Sequence, residues 1–325
     1  MSLKNAKSVI FPCRGFNLYG TLHLPDSPGQ QPETGVVMIN AGPTDRSGPH
    51  RLYVKIANFF AKQEVPVLRF DPRGVGESNG YWENIADSEA ITTVFKKIME
   101  GVWVDDTYAA INFLCQKTGV ESVILYGHCG GAITAMIVGA KDAKVSNICC
   151  TGLPVTYSAT NLEVSKLPTE IINRDFRLYI KNIVSPRSLF RFLTFKSDYK
   201  TLIAVLMTRF RSFFKSKVKK ADDHIEKLNP HFINAYKITE ELNKEMLFVY
   251  GENDYLLQEF KQFFLQSQLV KRKKSFLLEV IPMSNHNMTE QHSQDQLFNI
   301  LNRWLMQIRK SPALITTTGK SVPAN

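Results

Sequence analysis

The sequence predicts an α/β fold: a doubly wound, mostly parallel sheet with helices on both faces and an inserted helical cap. Two observations lead to this prediction. Short apolar runs typical of strands alternate with segments of helical periodicity near both ends of the chain. Between these two regions, residues 154–244 interrupt the alternation with a segment that is helical in pattern, aromatic and basic.

The alternation predicts the individual elements in chain order. Strands are expected at residues 19–24, 36–40, 65–70, 122–127, 145–151, 246–251 and 276–281. Helices are expected at residues 51–63, 104–118, 132–140, 255–268 and 291–308. We therefore divide the chain into a core (1–153 and 245–310), a basic helical cap (154–244) and a tail (311–325) that is expected to be disordered.

The composition is that of a globular protein of 325 residues, long enough to bury one large core. No apolar run approaches the ~20 residues needed to cross a bilayer, and residues 1–7 lack the apolar region of a secretory signal. The five cysteines form an odd set without a CxxC pair, which predicts reduced thiols in the cytoplasm. No metal-ligand cluster and no cofactor motif is visible, so neither a metal nor a cofactor is expected.

The segment GHCGG at residues 127–131 joins a predicted strand to a predicted helix. Its glycines let the strand and the helix approach closely, so the tight turn exposes the sulfur of Cys129. The helix N-terminus directs its dipole at that sulfur and favours the thiolate. Cys129 is therefore the predicted nucleophile, whereas Cys115, Cys149 and Cys150 are predicted to be buried apolar residues.

Two later strand ends supply the groups that a nucleophile needs, a base and an acid that orients it. Glu252 and Asp254 follow the strand at 246–251, and we favour Asp254 as the acid. His286 follows the strand at 276–281 and is the predicted base. His128, beside the nucleophile, is expected to point away from it and to act as a packing or pocket residue.

These motifs, in the chain order nucleophile, acid, histidine, resemble those of the α/β-hydrolase superfamily. The segment DPRGVGES at residues 71–78 is similar to a turn found in many members, and its Asp71 and Arg73 are expected to brace that turn. The resemblance implies that Cys129 attacks, that His286 acts as general base and then acid, and that Asp254 holds the imidazole tautomer.

The resemblance also implies an oxyanion hole, formed by the Gly130 N–H and a second N–H from the loop at residues 40–44. Pro43 has no N–H, so Gly42 and Thr44 remain as alternatives for the second donor. The motifs NAGP at 40–43, GPHR at 48–51 and VLRFD at 67–71 more narrowly resemble hydrolases associated with bacterial exosortase and exopolysaccharide clusters. Some of those hydrolases carry cysteine at the position of Cys129.

A cysteine nucleophile suits a particular class of substrate. Its attack on an acyl-CoA or acyl-carrier protein exchanges one thioester for another, and the acyl group then passes to water, an alcohol or an amine. We therefore expect an enzyme that hydrolyses an acyl ester or thioester, or transfers its acyl group. A non-catalytic protein that uses the same scaffold to bind a ligand or a membrane surface is the alternative.

The charge of the chain is concentrated in the predicted cap. Residues 174–220 contain thirteen Lys or Arg and two Asp, a net charge of +11, whereas the rest of the chain sums to −1. This surface is expected to attract an acidic acyl-carrier protein, CoA phosphates or an anionic membrane, or to be the solvated face of the cap. Nucleic-acid binding is not expected, because no recognised nucleic-acid fold motif accompanies the charge.

Overall fold

The computed structural model describes residues 5–26, 32–80, 90–156, 227–270 and 275–310. Most of the predicted cap, including the basic residues 174–220, and the predicted tail at 311–325 lie outside these ranges. Among the described residues, no helix has the length and apolar character needed to cross a membrane.

Within the described residues, eight strands form one sheet in the order β1-β2-β4-β3-β5-β6-β7-β8. The first two strands and β4 pair antiparallel, and all other neighbours pair parallel. The strands are β1 (Ala6–Cys13), β2 (Phe16–His23), β3 (Thr34–Ile39), β4 (Val67–Phe70), β5 (Ser122–His128), β6 (Val145–Thr151), β7 (Glu245–Gly251) and β8 (Phe276–Ile281). The parallel strands bring their carboxyl ends to one edge of the sheet, which is where ligand sites form in such folds.

Helices cover both faces of this sheet. They are α1 (Leu52–Lys62), α2 (Ala90–Met99), α3 (Val104–Thr118), α4 (Gly130–Gly139), α5 (Pro230–Glu241), α6 (Tyr255–Glu259) and α7 (Gln291–Lys310). Side chains of α3, α4, α5 and α6 pack with one face of the sheet, and those of α1 and α7 pack with the other. A doubly wound sheet with two separate apolar cores results, as the sequence predicts.

The predicted elements are present, and three further elements were not predicted. The edge strand β1 buries only Phe11 and Cys13, so its sequence lacks the apolar run of an inner strand. Helix α2 contains the β-branched run at residues 91–94, and such residues have a lower helix propensity. The predicted helix at 255–268 is α6 followed by a π-helical turn at Phe260–Leu265.

The third unpredicted element is a helix near the end of the predicted cap. Helix α5 lies within the range assigned to the cap, yet Phe232, Ala235 and Tyr236 are buried in the same core as α4. Asn229 caps the start of α5 by accepting the N–H of His231 at 2.9 Å. Helix α5 therefore packs with the core, while the rest of the predicted cap lies outside the described residues and its boundaries stay a prediction.

One buried histidine makes the stability of this fold dependent on pH. His23 is 2% exposed and accepts a hydrogen bond from Arg69 Nε at 2.9 Å. Burial, reinforced by the charge of Arg69, lowers the pKa of His23 from 6.5 to about 4. The folded state therefore binds fewer protons than the unfolded chain in this range, and stability is lost as the pH falls below 6.5.

We expect His23→Gln, whose amide oxygen can accept the Arg69 hydrogen bond, to weaken this pH dependence. Urea unfolding at pH 6.5 and pH 4.5 measures it. As the pH falls, the free energy of unfolding of the wild type should drop by roughly 1 kcal/mol more per pH unit than that of the variant. The variant lacks the histidine whose protonation favours the unfolded chain. Equal losses in the two proteins would contradict the assignment of a depressed pKa to His23.

Candidate active site

Cys129 lies at the turn between β5 and α4. Its backbone has φ 51° and ψ −120°, a conformation that is costly for a residue with a side chain. The Cys129 N–H donates to the Thr151 carbonyl at 3.0 Å, which ties the turn to the neighbouring strand β6. The strained turn directs the thiol away from both elements, and Cys129 is partly exposed.

The glycines of this turn are required by packing. A Cβ atom on Gly127 would overlap the Gly131 carbonyl, and one on Gly131 would overlap the carbonyls of Ile39 and Asn40. Helix α4 therefore starts in direct contact with the ends of β3 and β5. The sequence feature GHCGG thus has the tight strand-turn-helix geometry that it predicts.

Asp254 and His286 meet beyond the ends of β7 and β8. The Asp254 Oδ2 atom lies 2.8 Å from His286 Nδ1, and Asp254 is 1% exposed. Its Oδ1 accepts the Leu256 N–H at 3.0 Å, which caps α6 and fixes the carboxylate. The competing carboxylate, Glu252, instead accepts the Met283 N–H at 2.8 Å. Asp254 is therefore the acid that contacts His286.

The His286 imidazole interacts with both Asp254 and Cys129. Burial alone would lower its pKa, but hydrogen bonds and charge from Asp254 and Cys129 raise the pKa of His286 from 6.5 to about 10. The imidazolium is therefore the favoured form at neutral pH while its partners are anionic. The three residues selected from separate parts of the sequence lie together at the carboxyl edge of the sheet.

Gly152, which follows β6, lies against the histidine and was not recognised in the sequence. It has φ 53°, and a Cβ atom there would lie 2.7 Å from His286 Cε1 and 2.9 Å from Nδ1. The positive φ and the lack of space between the Gly152 backbone and the His286 ring therefore both require glycine. A glycine directly after a strand that neighbours the nucleophile strand was the only available signal, and it is a weak one.

We expect Gly152→Ala to displace the His286 ring and to lower kcat by about 10²-fold. Gly15→Ala is the matched control, because Gly15 also has positive φ but no atom lies within 4 Å of a Cβ built there. Each variant should lose about 1–2 kcal/mol of stability from backbone strain. If Gly15→Ala lowered kcat as much as Gly152→Ala, contact with His286 would not be the cause.

The loop at residues 40–44 approaches the start of α4. A Cβ atom on Gly130 would lie 3.5 Å from Gly42 N, so these two predicted oxyanion donors are neighbours. The Thr44 N–H instead turns back onto the Gly42 carbonyl at 2.8 Å. The Gly42 N–H likewise donates to a carbonyl, that of Asn40 at 3.0 Å. Both candidate donors are therefore engaged, and the proximity of Gly42 to Gly130 is what favours Gly42.

Buried side chains brace this loop against the segment at residues 71–78. The amide of Asn40 donates to the Thr44 carbonyl at 2.6 Å and to Asp71 Oδ1 at 3.3 Å. Asp71 is fully buried, accepts the Arg46 N–H at 2.6 Å and pairs with the Arg46 guanidinium. Arg73 pairs with Asp106 at 2.7 Å. These residues hold the loops together, in line with the bracing role expected from the sequence.

An apolar wall lies beside Gly130 and Gly42. Ile98 Cγ2 would be 2.8 Å from a Cβ on Gly130, and Phe95 Cζ would be 3.2 Å from a Cβ on Gly42. Both side chains belong to α2, an element that the sequence did not predict. Tyr255, at the start of α6, adds a ring centroid 6.3 Å from that of His286.

His128 contacts the site in a way that differs from expectation. It is buried, as a packing residue should be, but its ring does not diverge from the catalytic candidates. Its centroid lies 4.6 Å from that of His286, with an interplanar angle of 33°. Sequence spacing could not reveal this contact, because residues 128 and 286 are brought together only by the order of the strands.

The remaining thiols differ from Cys129 in their surroundings. All five cysteines are free, with Cys149 and Cys150 fully buried and Cys115 half-buried. Burial raises the pKa of Cys115, Cys149 and Cys150, and burial together with Asp106 raises the pKa of Cys13 to about 12. Within the described part of the chain, no group of three or more His, Cys, Asp or Glu could hold a metal ion.

Comparisons with known proteins agree with this fold. Residues 35–184 match the family model described as the alpha/beta hydrolase fold. No curated protein matches the sequence significantly. Among solved structures, the chain is similar to the esterase Pf2001 of Pyrococcus furiosus, with a TM-score of 0.55 and 16% identity over 93% of this chain and 92% of that chain.

Two further solved structures have the same architecture. One is an alpha-beta serine hydrolase homologue from Coxiella burnetii, with a TM-score of 0.53 and 12% identity over 94% of this chain and 100% of that chain. The other is dienelactone hydrolase from Anabaena variabilis, with a TM-score of 0.51 and 13% identity over 94% of this chain and 99% of that chain. The family model and these likenesses confirm the predicted fold: the chain has the α/β-hydrolase fold.

Proposed function

We propose that this protein is a cysteine hydrolase or acyltransferase that cleaves an acyl ester or thioester through an acyl-enzyme at Cys129. The observation that carries the proposal is the 2.8 Å contact between His286 Nδ1 and Asp254 Oδ2, with Cys129 interacting with the same imidazole. An acid that orients a histidine beside a nucleophile is the arrangement used for acyl transfer on many folds.

In the first step, the Cys129 thiolate attacks the carbonyl carbon of the substrate and forms a tetrahedral intermediate. The N–H groups of Gly130 and Gly42 stabilise the oxyanion. To do so, the Gly42 N–H gives up its hydrogen bond to the Asn40 carbonyl and donates to the oxyanion instead. Collapse of the intermediate breaks the bond to the leaving group. The leaving thiolate or alkoxide takes the proton of the His286 imidazolium, and Cys129 keeps the acyl group as a thioester.

In the second step, neutral His286 removes a proton from water, an alcohol or an amine. That acceptor attacks the acyl-Cys129 carbonyl, which leaves His286 as the imidazolium and forms a second tetrahedral intermediate. Collapse of this intermediate releases the product and returns the Cys129 thiolate. Asp254 holds the proton on His286 Nδ1 throughout, so Nε2 exchanges protons with the reacting groups. The pKa of His286, raised to about 10, supports this assignment because it favours the imidazolium that donates in the first step.

An acyl-CoA or acyl-carrier protein is the substrate class that we propose. Exchange of one thioester for another is nearly balanced in energy, so a thiolate nucleophile suits it. The apolar Phe95 and Ile98 beside the two oxyanion donors support an acyl chain at this position. The first third of the sequence resembles hydrolases of bacterial exosortase and exopolysaccharide clusters. This resemblance supports an acyl substrate that is made in bacteria with such clusters.

Release of free thiol from short-chain and long-chain acyl thioesters tests the proposed function, with and without an added alcohol or amine. The wild type should release thiol from at least one chain length, and Cys129→Ala should not. An acylated acceptor would identify a transferase, and free acid alone would identify a hydrolase. No release by the wild type, or equal release by Cys129→Ala, would contradict the proposal.

We also propose that the basic residues 174–220 recruit an acidic carrier protein or an anionic membrane surface in the cytoplasm. Their net charge of +11 supports this role. Co-sedimentation with vesicles, with and without anionic lipid, and binding of an acyl-carrier protein distinguish the two partners. A protein that binds neither at low ionic strength would contradict the proposed recruitment.

A further inference from the structure

The histidine that precedes the nucleophile forms one wall of the site. His128 is 1% exposed, and its ring centroid lies 4.6 Å from that of His286 at an interplanar angle of 33°. The two imidazole rings therefore lie against each other at a tilt. His286 is also contacted by Asp254 at Nδ1 and by Cys129, and the Tyr255 ring lies farther away, at 6.3 Å.

The hydrogen bonds of His128 fix its tautomer. Its Nδ1 lies 3.1 Å from the Thr151 carbonyl oxygen and 3.0 Å from Thr151 Oγ1. A carbonyl oxygen can only accept, so Nδ1 carries the proton and the ring is held by strand β6. The same carbonyl accepts the Cys129 N–H at 3.0 Å. Strand β6 thus positions the nucleophile turn and the His128 ring through one atom.

His128 also differs from His286 in charge. Burial and the neighbouring charge of His286 lower the pKa of His128 from 6.5 to about 3, even though Asn287 and Thr151 act against this shift. At neutral pH, a neutral imidazole therefore lies against an imidazolium. A neutral aromatic face attracts a cation, whereas a second cation at this distance would repel it.

We propose that His128 is a positioning residue, whose neutral ring holds the charged ring of His286 in the orientation shared with Asp254 and Cys129. This role rests on the proposed function for its catalytic meaning. It differs from that of Asp254, which contacts a His286 nitrogen at the ring edge, because His128 restrains the ring through its face. Rotation of His286 away from Asp254 would have to displace a side chain that strand β6 holds in place.

Two variants separate the ring from its hydrogen bond. His128→Asn replaces Nδ1–H by an amide donor for Thr151 but removes the aromatic face. His128→Phe keeps an aromatic face but removes the donor, and the Thr151 carbonyl retains the Cys129 N–H. We expect His128→Asn to lower the pKa of His286 by about one pH unit and the acylation rate constant by about tenfold, with KM within about twofold. His128→Phe should keep the pKa of His286 within about 0.3 pH unit of the wild type and the acylation rate constant within about twofold.

The pKa is measured by NMR titration of labelled imidazole nitrogens in the full chain, with His286→Gln to assign the signal. Urea unfolding checks that each variant is folded, and His128→Gln serves as a second variant without the ring. An unchanged His286 pKa in folded His128→Asn would overturn the proposal. It would also be overturned if His128→Phe lowered the His286 pKa and the acylation rate constant as much as His128→Asn. Failure of both ring-less variants to fold would also overturn it, in favour of a purely structural role.

The titration needs no substrate, so it is independent of the proposed function. If the wild type forms no acyl adduct, the proposed function fails, and the His286 titration still decides whether His128 acts on that ring. If the wild type forms the adduct and the titration is unchanged in His128→Asn, only the positioning role fails.

Discussion

Replacing Cys129 with alanine is expected to lower the rate of acyl-thioester cleavage by about 10⁴-fold or more. The change removes the atom that forms the covalent bond and leaves the strained turn with a residue of similar backbone preference. The rate of thiol release at saturating substrate measures the effect. Unfolding curves that match those of the wild type would show that the turn is intact.

Cys129→Ser is the matched control for this variant, since it keeps a nucleophilic atom of similar size. Two of the contributions that raise the His286 pKa come from Cys129, so the pKa should fall in both variants. We expect Cys129→Ser to be slower than the wild type by at least about 10²-fold, because serine must be deprotonated during attack. Cleavage by Cys129→Ala at the wild-type rate would exclude Cys129 as the nucleophile.

Asp254→Asn is expected to lower kcat by about 10³ to 10⁴-fold. The amide can still accept the Leu256 N–H and cap α6, because asparagine is also a favourable N-cap residue. The negative charge at His286 is lost, and the amide can present a donor that favours the wrong tautomer of the imidazole. Steady-state kinetics and NMR titration of His286 measure the two effects, and the pKa should fall together with kcat.

Glu252→Gln is the control for Asp254→Asn, since it neutralises a carboxylate on the same turn. Its side chain contacts the Met283 N–H and can keep that hydrogen bond as an amide. We expect its kcat to stay within about twofold of the wild type. Equal losses for the two variants would mean that the charge of the whole turn, and not the Asp254 contact, supports His286.

The sequence predicted the parts of the site that each follow a strand. Cys129, Asp254 and His286 stand after apolar runs, and the parallel sheet brings the ends of those runs to one edge. The local signals of glycines at the turn and polar residues at strand ends were sufficient for this prediction. The fold class was predictable for the same reason, since helical and strand periodicities alternate over most of the described chain.

The remaining parts of the site depend on tertiary contacts that leave no local signal. The contact of His128 with His286 arises because the carboxyl ends of β5 and β8 lie at the same edge of one sheet. The position of α2 beside Gly130 depends on how the folded helix packs, which its sequence does not show. The choice between Gly42 and Thr44 required the folded loop, which places the Gly42 nitrogen beside Gly130.

Intact mass measurement after brief incubation with an acyl thioester tests the central claim, an acyl-enzyme at Cys129, most directly. The other four thiols have raised pKa values, so background acylation should be slow. We predict that the wild type gains the mass of one acyl group, that the adduct maps to Cys129, and that Cys129→Ala gains none. An unmodified wild type, or the same adduct on Cys129→Ala, would contradict the account.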